Sequence, residues 1–410
     1  MKVLFVAGYV SDKKLIPFSK IITGYGYMVK DIAVAVRGNG VEVDVFTQKC
    51  FTSGGYITGI RILPRSWGLL FRYLKTNDIV NGLKAAGKVD GVKHKLKQIL
   101  YYLSLGYFRR IVYKGNYDVI HFHGITWDLK PLIDFCDELD TNYVVTLHGL
   151  NSFDEGVKIA DDLRLLERDF LTQSYLKNKK VTCISTGVRD RVLQHLNCDK
   201  STDNFNVVLN GTHDVSGLQS RIEVRKLYSI PEDSFVFCCV GNISARKNQI
   251  QLVRAYRLLP QEWKRKVYIL FLGNDKSGSQ IINEIGSFGD HLILCGDVKR
   301  SDVHSYYSQS NFNILASISE GFGLSIIEGF MHGLPTLCFN DIDIIPDIYC
   351  DKVMLPINER TDQALMDGVI NMTKRSWDRV SIKKYAQQFS LQSTSLKYIN
   401  LYKELYNRQI

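Results

Sequence analysis

At 410 residues, with 45% apolar and 23% charged residues, the chain is long enough for two or three packed domains, and its balance argues against wholesale disorder. Nine cysteines, an odd number with no C-x-x-C pair and with Cys238 and Cys239 adjacent in an apolar run, argue for reduced, buried thiols and against a disulfide framework or a zinc site. The net charge of +10 sits in one stretch: from Arg61 to Lys114, twelve Lys/Arg stand against Asp78 and Asp90, an excess equal to that of the whole chain.

Taken in chain order, the start is apolar only from Val3 to Val10, too short for a signal peptide, and it reads as a strand over 3–7. No stretch approaches the roughly 18 apolar residues of a spanning helix, so a cytoplasmic protein is expected. The sequon Asn210-Gly211-Thr212 then carries no meaning. Thr23-Gly24-Tyr25-Gly26 precedes a helical stretch predicted over 26–36. Strands follow over 41–47, 119–123, 143–147, 181–184 and 206–209. The basic stretch lies between the second and third strands and interleaves its cations with Trp67, Phe71, Tyr73, Tyr101, Tyr102, Tyr107 and Phe108. It is either a solvated helical face or a surface for an anionic membrane. It carries no nucleic-acid motif, so no nucleic-acid partner is expected. A polar stretch over 210–232, with Asn210-Gly211 and Pro231, separates a second series of strands: 235–240, 267–272, 292–295, 312–315 and 336–339. Helices with tyrosines on an apolar face close the chain over 382–410. Strands alternating with helices predict parallel sheets with crossover helices. The expected division is 1–210, 211–380 and a C-terminal helical piece, 381–410, that packs back toward the N-terminal domain. A cleft is expected between the two α/β halves.

Four segments carry candidate chemistry. Ser319-Glu320-Gly321-Phe322-Gly323-Leu324-Ser325-Ile326-Ile327-Glu328 follows the strand 312–315 and opens a helix. Gly321 and Gly323 permit close backbone approach, and the helix N-terminus is a natural seat for a diphosphate. Glu320 stands where it can accept hydrogen bonds from sugar hydroxyls, and Glu328, one turn into the helix, where it can hold a ribose diol. Ser325-x-x-Glu328 also has the form of a capping box, which would make Glu328 a helix-start device. In Val240-Gly241-Asn242-Ile243-Ser244-Ala245-Arg246-Lys247-Asn248, two adjacent cations after a glycine turn suit a diphosphate and its leaving charge, although an exposed arginine there is often only solvated. His148, before Gly149, ends a parallel strand at the cleft, a position that is suggestive although a lone histidine is more often structural. His121 and His123, on the neighbouring strand, read as structural. Gly24 and Gly26 form a G-x-G before a helix, a weak signal by itself.

Glu320 and Glu328, with Gly321-Phe322-Gly323-Leu324 between them and Gly333-Leu334-Pro335 after, resemble the E-x7-E motif of the large family-four group of retaining GT-B glycosyltransferases. The resemblance covers nearly the whole chain and is weakest over 50–115 and after 355. It implies two Rossmann-like parallel-sheet domains facing across a cleft, the GT-B fold. It implies that Glu320 contacts the donor sugar, that Glu328 binds the nucleotide ribose, and that the amides around Gly323, Leu324 and Ser325 hold the diphosphate. His148-Gly149 then matches the family's turn near the reacting sugar, Gly24 and Gly26 its first glycine-rich loop, and Asn210-Gly211 its interdomain turn. The family has Arg directly after the glycine and Lys five residues on; here Gly241 is followed by Asn242, Lys247 keeps the second place, and Arg246 is the candidate for the missing charge.

The implied reaction is retaining transfer from a nucleotide diphosphate sugar to a hydroxyl of a glycan or lipid-linked acceptor, in cell-surface polysaccharide or glycoconjugate synthesis, with no metal and no cofactor. Asp341-Ile342-Asp343 has metal-motif spacing but follows a buried strand. The basic stretch would place the protein peripherally on the cytoplasmic face of a membrane. Two alternatives stay open: a sugar-nucleotide epimerase of the same architecture, and a non-catalytic partner of another transferase, which Asn242 keeps in play.

Overall fold

The computed structural model describes residues 1–12, 23–89, 91–150, 152, 161–198, 202–215, 217–274 and 291–407; Asp90 and the last three residues of the C-terminal helical stretch lie outside them. Strands β1 (Lys2–Ala7), β2 (Glu42–Thr47), β3 (Gly55–Ile57), β4 (Ile60–Ile62), β5 (Val119–His123), β6 (Tyr143–Leu147), β7 (Lys180–Cys183) and β8 (Phe205–Val207) form one sheet. Its order is β3-β4-β2-β1-β5-β6-β7-β8, parallel except for the edge hairpin β3–β4. Strands β9 (Phe235–Val240), β10 (Val267–Leu272), β11 (Leu292–Gly296), β12 (Phe312–Ile314), β13 (Thr336–Phe339) and β14 (Met354–Ile357) form a second, parallel sheet in the order β11-β10-β9-β12-β13-β14.

Central strands of such sheets are covered by helices on both faces, which is why they read as unbroken apolar runs. Phe122, Val145, Phe237 and Leu270 are fully buried. The strands that sequence periodicity does not show are short: β3 and β4 form a hairpin at one end of the first sheet, and β14 is the outer strand of the second. β3 and β4 have three residues each, joined at Thr58 (φ 46°) and Gly59 (φ 82°), left-handed positions that suit a tight hairpin. β14 contains Pro356, which an edge strand tolerates.

The first helix spans Gly24–Gly38, beginning two residues before the predicted start at 26. Thr23 is its N-cap, accepting from the Gly26 N–H at 3.3 Å, so Gly24 and Gly26 belong to the first helical turn rather than to a preceding loop. The last helix, Leu391–Asn407, lies on the first sheet although it ends the chain: Tyr398 and Tyr402 share a core with Val3, Phe5 and Val119. The chain therefore crosses between the two halves twice, and the crossings touch. Thr212 pairs with Ser390, and a Cβ on Gly211 would stand 2.6 Å from the Ser390 carbonyl carbon.

The basic stretch folds into helices Trp67–Arg72, Thr76–Ala86, Val92–Leu103 and Leu105–Gly115. Its aromatics are not all available to a surface. Phe108 and Tyr107 are buried in the core beneath Phe46 and Phe122, and Tyr101 and Tyr102 are half-buried. Part of the charge is paired or buried too: Arg61 is ion-paired with Asp44, Arg109 with Asp78, and Arg65 is buried over the Phe51 ring at 4.3 Å. Trp67, Phe71, Leu83, Val92 and Leu96 remain exposed, as do Lys93, Lys95 and Lys97.

Candidate active site

In a parallel sheet, ligands settle at the carboxyl ends of the two neighbouring strands where the winding reverses, because the loops there part. In the second sheet these strands are β9 and β12. The loop after β9 brings Arg246 and Lys247; the loop after β12 brings Ser317 to Gly323. A backbone bond from Ile318 N to Arg246 O, 2.8 Å, ties the two loops together. Lys247 Nζ donates to Glu320 Oε1, Ser317 Oγ donates to the same oxygen at 2.8 Å, and Arg246 Nη1 lies 3.6 Å from Oε2 while donating to Ser319 O at 3.2 Å. Glu320 is buried. Burial raises its proton affinity, but Lys247, Arg246 and these hydrogen bonds outweigh that and hold the carboxyl below its ordinary value. Arg246 is thus tied to Glu320 as well as facing solvent. Gly241, at φ 150°, lets this loop fold over Lys247, whose Cε would be 3.3 Å from a Cβ there. Asn242 is exposed and brings no charge; its carbonyl accepts from Gln249 Nε2 at 3.2 Å.

The helix Leu324–Met331 opens directly after Glu320, with Gly323 as N-cap at φ 67°. A Cβ on Gly323 would lie 3.9 Å from Glu320 Cβ, so the positive end of the helix adjoins the Lys247–Glu320 pair. The capping-box alternative for Glu328 is set aside: Ser325 is inside the helix, not at its cap, and its buried Oγ has no partner. Leu324 is half-buried against the core. The Glu328 carboxyl is pushed up by burial, against the pull of Arg300, His213, Lys247 and a hydrogen bond with Tyr307.

The first sheet reverses between β1 and β5, and its loops face those of the second. A cavity of about 410 Å³ lies between them, with Gly8, Tyr25, Lys49 and His148 on one side and Arg246, Ser319 and Gly321 on the other. The halves meet here: a Cβ on Gly321 would be 3.3 Å from His148 O, and Ser185 Oγ donates to Gly321 O at 3.1 Å. Burial drives the His148 pKa down to about 3, so its ring is neutral at physiological pH. Its Nε2 lies 3.1 Å from His123 Nδ1, and its buried Nδ1 has no partner. His123 is therefore not merely structural: it lines the cavity and braces His148. His121 does fit a structural place, between Tyr402 Oη and Thr146 Oγ1 at 2.6 and 2.7 Å. Neither Gly24 nor Gly26 lines the cavity, but Tyr25 between them does, its hydroxyl donating to His123 O at 2.6 Å. Gly26 lets the first helix lie against Ser11, whose Oγ would be 2.2 Å from a Cβ. Asn210 is buried at the crossing between the halves, apart from the cavity lining.

The sequence models of two families match the chain almost end to end: Glycosyltransferase Family 4 over residues 22–214 and Glycosyl transferases group 1 over residues 220–389. The chain belongs to the GT-B glycosyltransferases. It is 28% identical to the Escherichia coli O-antigen biosynthesis glycosyltransferase WclY over 220 residues, 50% of this chain and 60% of that one. It is 27% identical to the Escherichia coli O-antigen chain mannosyltransferase B over 173 residues, 40% of this chain and 45% of that one. These matches thus span about half the length of the curated relatives. The fold is shared with Anabaena HepE in complex with UDP, at a TM-score of 0.67 and 16% identity over 98% of this chain and 100% of that one.

Several groups of this glycosyltransferase at the cleft have no motif to announce them. Asp31, on the first helix, takes Arg300 Nη2 at 2.7 Å and His213 Nε2 at 3.0 Å, joining the first half, the second half and the linker. Burial would raise its carboxyl, but the hydrogen bond with His213 and the charges of Arg300, His213 and Lys30 bring it down to about 2. Lys49 Nζ lies 2.9 Å from buried Asp128. Asp343 meets Arg191 at 2.8 Å, and Asp341 meets Arg360 at 2.5 Å, so the Asp-x-Asp spacing is occupied by two arginine pairs. Among the described residues, no group of three or more His, Cys, Asp or Glu is placed to hold a metal ion.

Proposed function

We propose that the chain transfers a sugar from a nucleotide diphosphate sugar to a hydroxyl of a glycan or lipid-linked acceptor, with retention of anomeric configuration, in the assembly of a cell-surface polysaccharide. The observation that carries this reading is the Lys247–Glu320–Arg246 cluster, set beside a helix N-terminus and across the cavity from a neutral histidine with a buried, unpartnered ring nitrogen. A diphosphate at the first turn of Leu324–Met331 meets N–H donors, the helix dipole and Lys247. Arg246 supplies the charge that Asn242 does not. Glu320 and His148 Nδ1 take sugar hydroxyls, and Glu328 takes the ribose diol. The bond from the anomeric carbon to the diphosphate oxygen breaks, the acceptor oxygen bonds the same face, and its proton passes to the departing oxygen. The leaving charge is met by fixed cations, so no metal is assigned a part. The O-antigen relatives support the polysaccharide setting, and HepE with UDP supports the donor class.

The test is transfer from a panel of UDP- and GDP-sugars to octyl glycosides and lipid-linked glycans in EDTA, with the product anomer read by NMR. Retained configuration is expected. Epimerised donor without transfer, or activity that EDTA abolishes and Mg²⁺ restores, would sink the reading.

The basic stretch supports a second element of the proposal, a peripheral seat on an anionic membrane that presents a lipid-linked acceptor. No helix among the described residues is long and apolar enough to cross a membrane, so the contact proposed is a surface one. Exposed Trp67, Phe71 and Leu96 offer the interface apolar area, and exposed Lys93, Lys95 and Lys97 offer it charge. Each cation near such a surface contributes about 1 kcal/mol, and salt screens it. Sedimentation with vesicles should rise with anionic lipid and fall with salt. Changing Lys93, Lys95 and Lys97 to Glu should release the protein without altering nucleotide binding. Wild-type protein that stays in the supernatant at low salt would remove the membrane from the account.

A further inference from the structure

A second cavity, of about 550 Å³, lies away from the cleft, where the linker meets the helices Arg300–Ser308, Leu324–Met331 and Arg379–Ala386. Its wall carries His304, His332, Arg379, Lys383 and Lys384, and Asp214 is the one carboxylate among its lining residues. A concave wall with an excess of one sign concentrates field in the space it encloses. Burial, and then the charges of His304, Lys383 and Arg379, hold the His332 pKa down to about 4 despite its bond to the Glu328 carbonyl. His332 is buried, so it is a built part of the wall and not a passing surface group.

The cavity is also hydrogen-bonded to the helix that opens at the cleft. His304 Nδ1 lies 2.8 Å from His332 Nε2, and His332 Nδ1 lies 2.7 Å from the main-chain oxygen of Glu328. A carbonyl accepts only, so Nδ1 carries the hydrogen and Nε2 accepts from His304. The side chain of that same Glu328 stands within the charge range of Lys247 and Arg300. At the other edge, Asp214 and Gly217 place the linker between the halves in the cavity wall.

We propose that this cavity binds a phosphate group, as inorganic phosphate or a phosphomonoester, and that its occupancy changes nucleotide affinity in the cleft through the His304–His332–Glu328 chain. Arginine and lysine satisfy the phosphate oxygens with charge-assisted hydrogen bonds, and the anion relieves the repulsion among the cations. The binding site stands independently of the transferase proposal; only the coupling rests on Glu328 as a donor residue.

Calorimetric titration of the full chain with inorganic phosphate, and separately with glycerol 3-phosphate, tests it. Binding of phosphate itself assigns the free ion, and binding of the ester alone assigns a phosphomonoester. Lys383→Ala with Lys384→Ala, both at exposed helix positions, should weaken binding by about tenfold or more, and Lys383→Arg with Lys384→Arg should restore it. Occupancy should shift UDP or GDP affinity by about fivefold or more. The site is overturned if neither anion binds, if the alanine pair binds as tightly as wild type, or if saturating UDP or GDP displaces the anion, which would place it in the cleft. Failure of both nucleotides to bind would count against the transferase reading, while the phosphate isotherms would still judge the cavity.

Discussion

Replacing Glu320 by glutamine should lower turnover by about a hundredfold or more while changing nucleotide affinity little. Glu320 is buried with its oxygens held by Lys247, Ser317 and Arg246, so it is a fixed negative group rather than a mobile one. A fixed charge aimed at the reacting sugar acts chiefly when positive charge develops at the anomeric carbon, and glutamine keeps the shape while removing that charge. The kinetic signature is a fall in kcat with nearly constant donor KM. Glutamine-substituted enzyme with full turnover would remove Glu320 from the chemistry. The variant should also lose the pH dependence that Glu320 gives to stability. Its carboxyl is depressed in the folded chain, so it contributes stability above the unfolded pKa near 4.3, and that contribution falls away as pH drops toward the folded value.

Lys247→Ala should be comparably severe, with turnover reduced on the order of a hundredfold because the leaving diphosphate loses a fixed cation. This substitution carries a second consequence that separates it from loss of a merely solvated lysine. Lys247 is the largest influence lowering the Glu320 proton affinity, with burial acting the other way. Without it the Glu320 pKa rises, and the acid limb of the pH–rate profile should move to higher pH. Leaving Glu320 buried without this partner should also cost about 3 kcal/mol of stability, since breaking one side of a buried pair strands the other charge. The Glu320→Gln, Lys247→Ala double variant should therefore be less destabilised than the two single effects added together. Thermal melts and pH–rate profiles of the three variants measure this directly. An unshifted acid limb in Lys247→Ala would mean that Glu320 is not the titrating group.

Much of the cleft is legible in the sequence because its parts are short and local. A strand, a glycine turn and a helix start occupy one stretch from Phe312 to Met331, and the glycines and carboxylates within it stand at distances set by that local geometry. The same holds for Gly241 to Lys247 after β9. The Ser325–Glu328 ambiguity was different. A capping box and an interior helix have the same letters, and only the position of Gly323 at the cap decides between them.

What the sequence determined by itself was the alternation of buried strands and crossover helices, hence two parallel sheets, and the loops that must lie at their carboxyl ends. Unbroken apolar runs announce strands covered on both faces, and this needs no knowledge of what covers them. The shortest strands escape because three residues such as Ile60–Ile62 cannot display a period. Tertiary structure alone decided which charges are spent and which are free. Asp31 finds Arg300 269 residues away, His121 finds Tyr402 across 281, and Phe108, which reads as surface among its basic neighbours, is buried under β2 and β5. Such pairings depend on how the sheets, the last helix and the linker close on one another. No local pattern encodes them, because the stabilisation they bring exists only once the chain has already been folded back on itself.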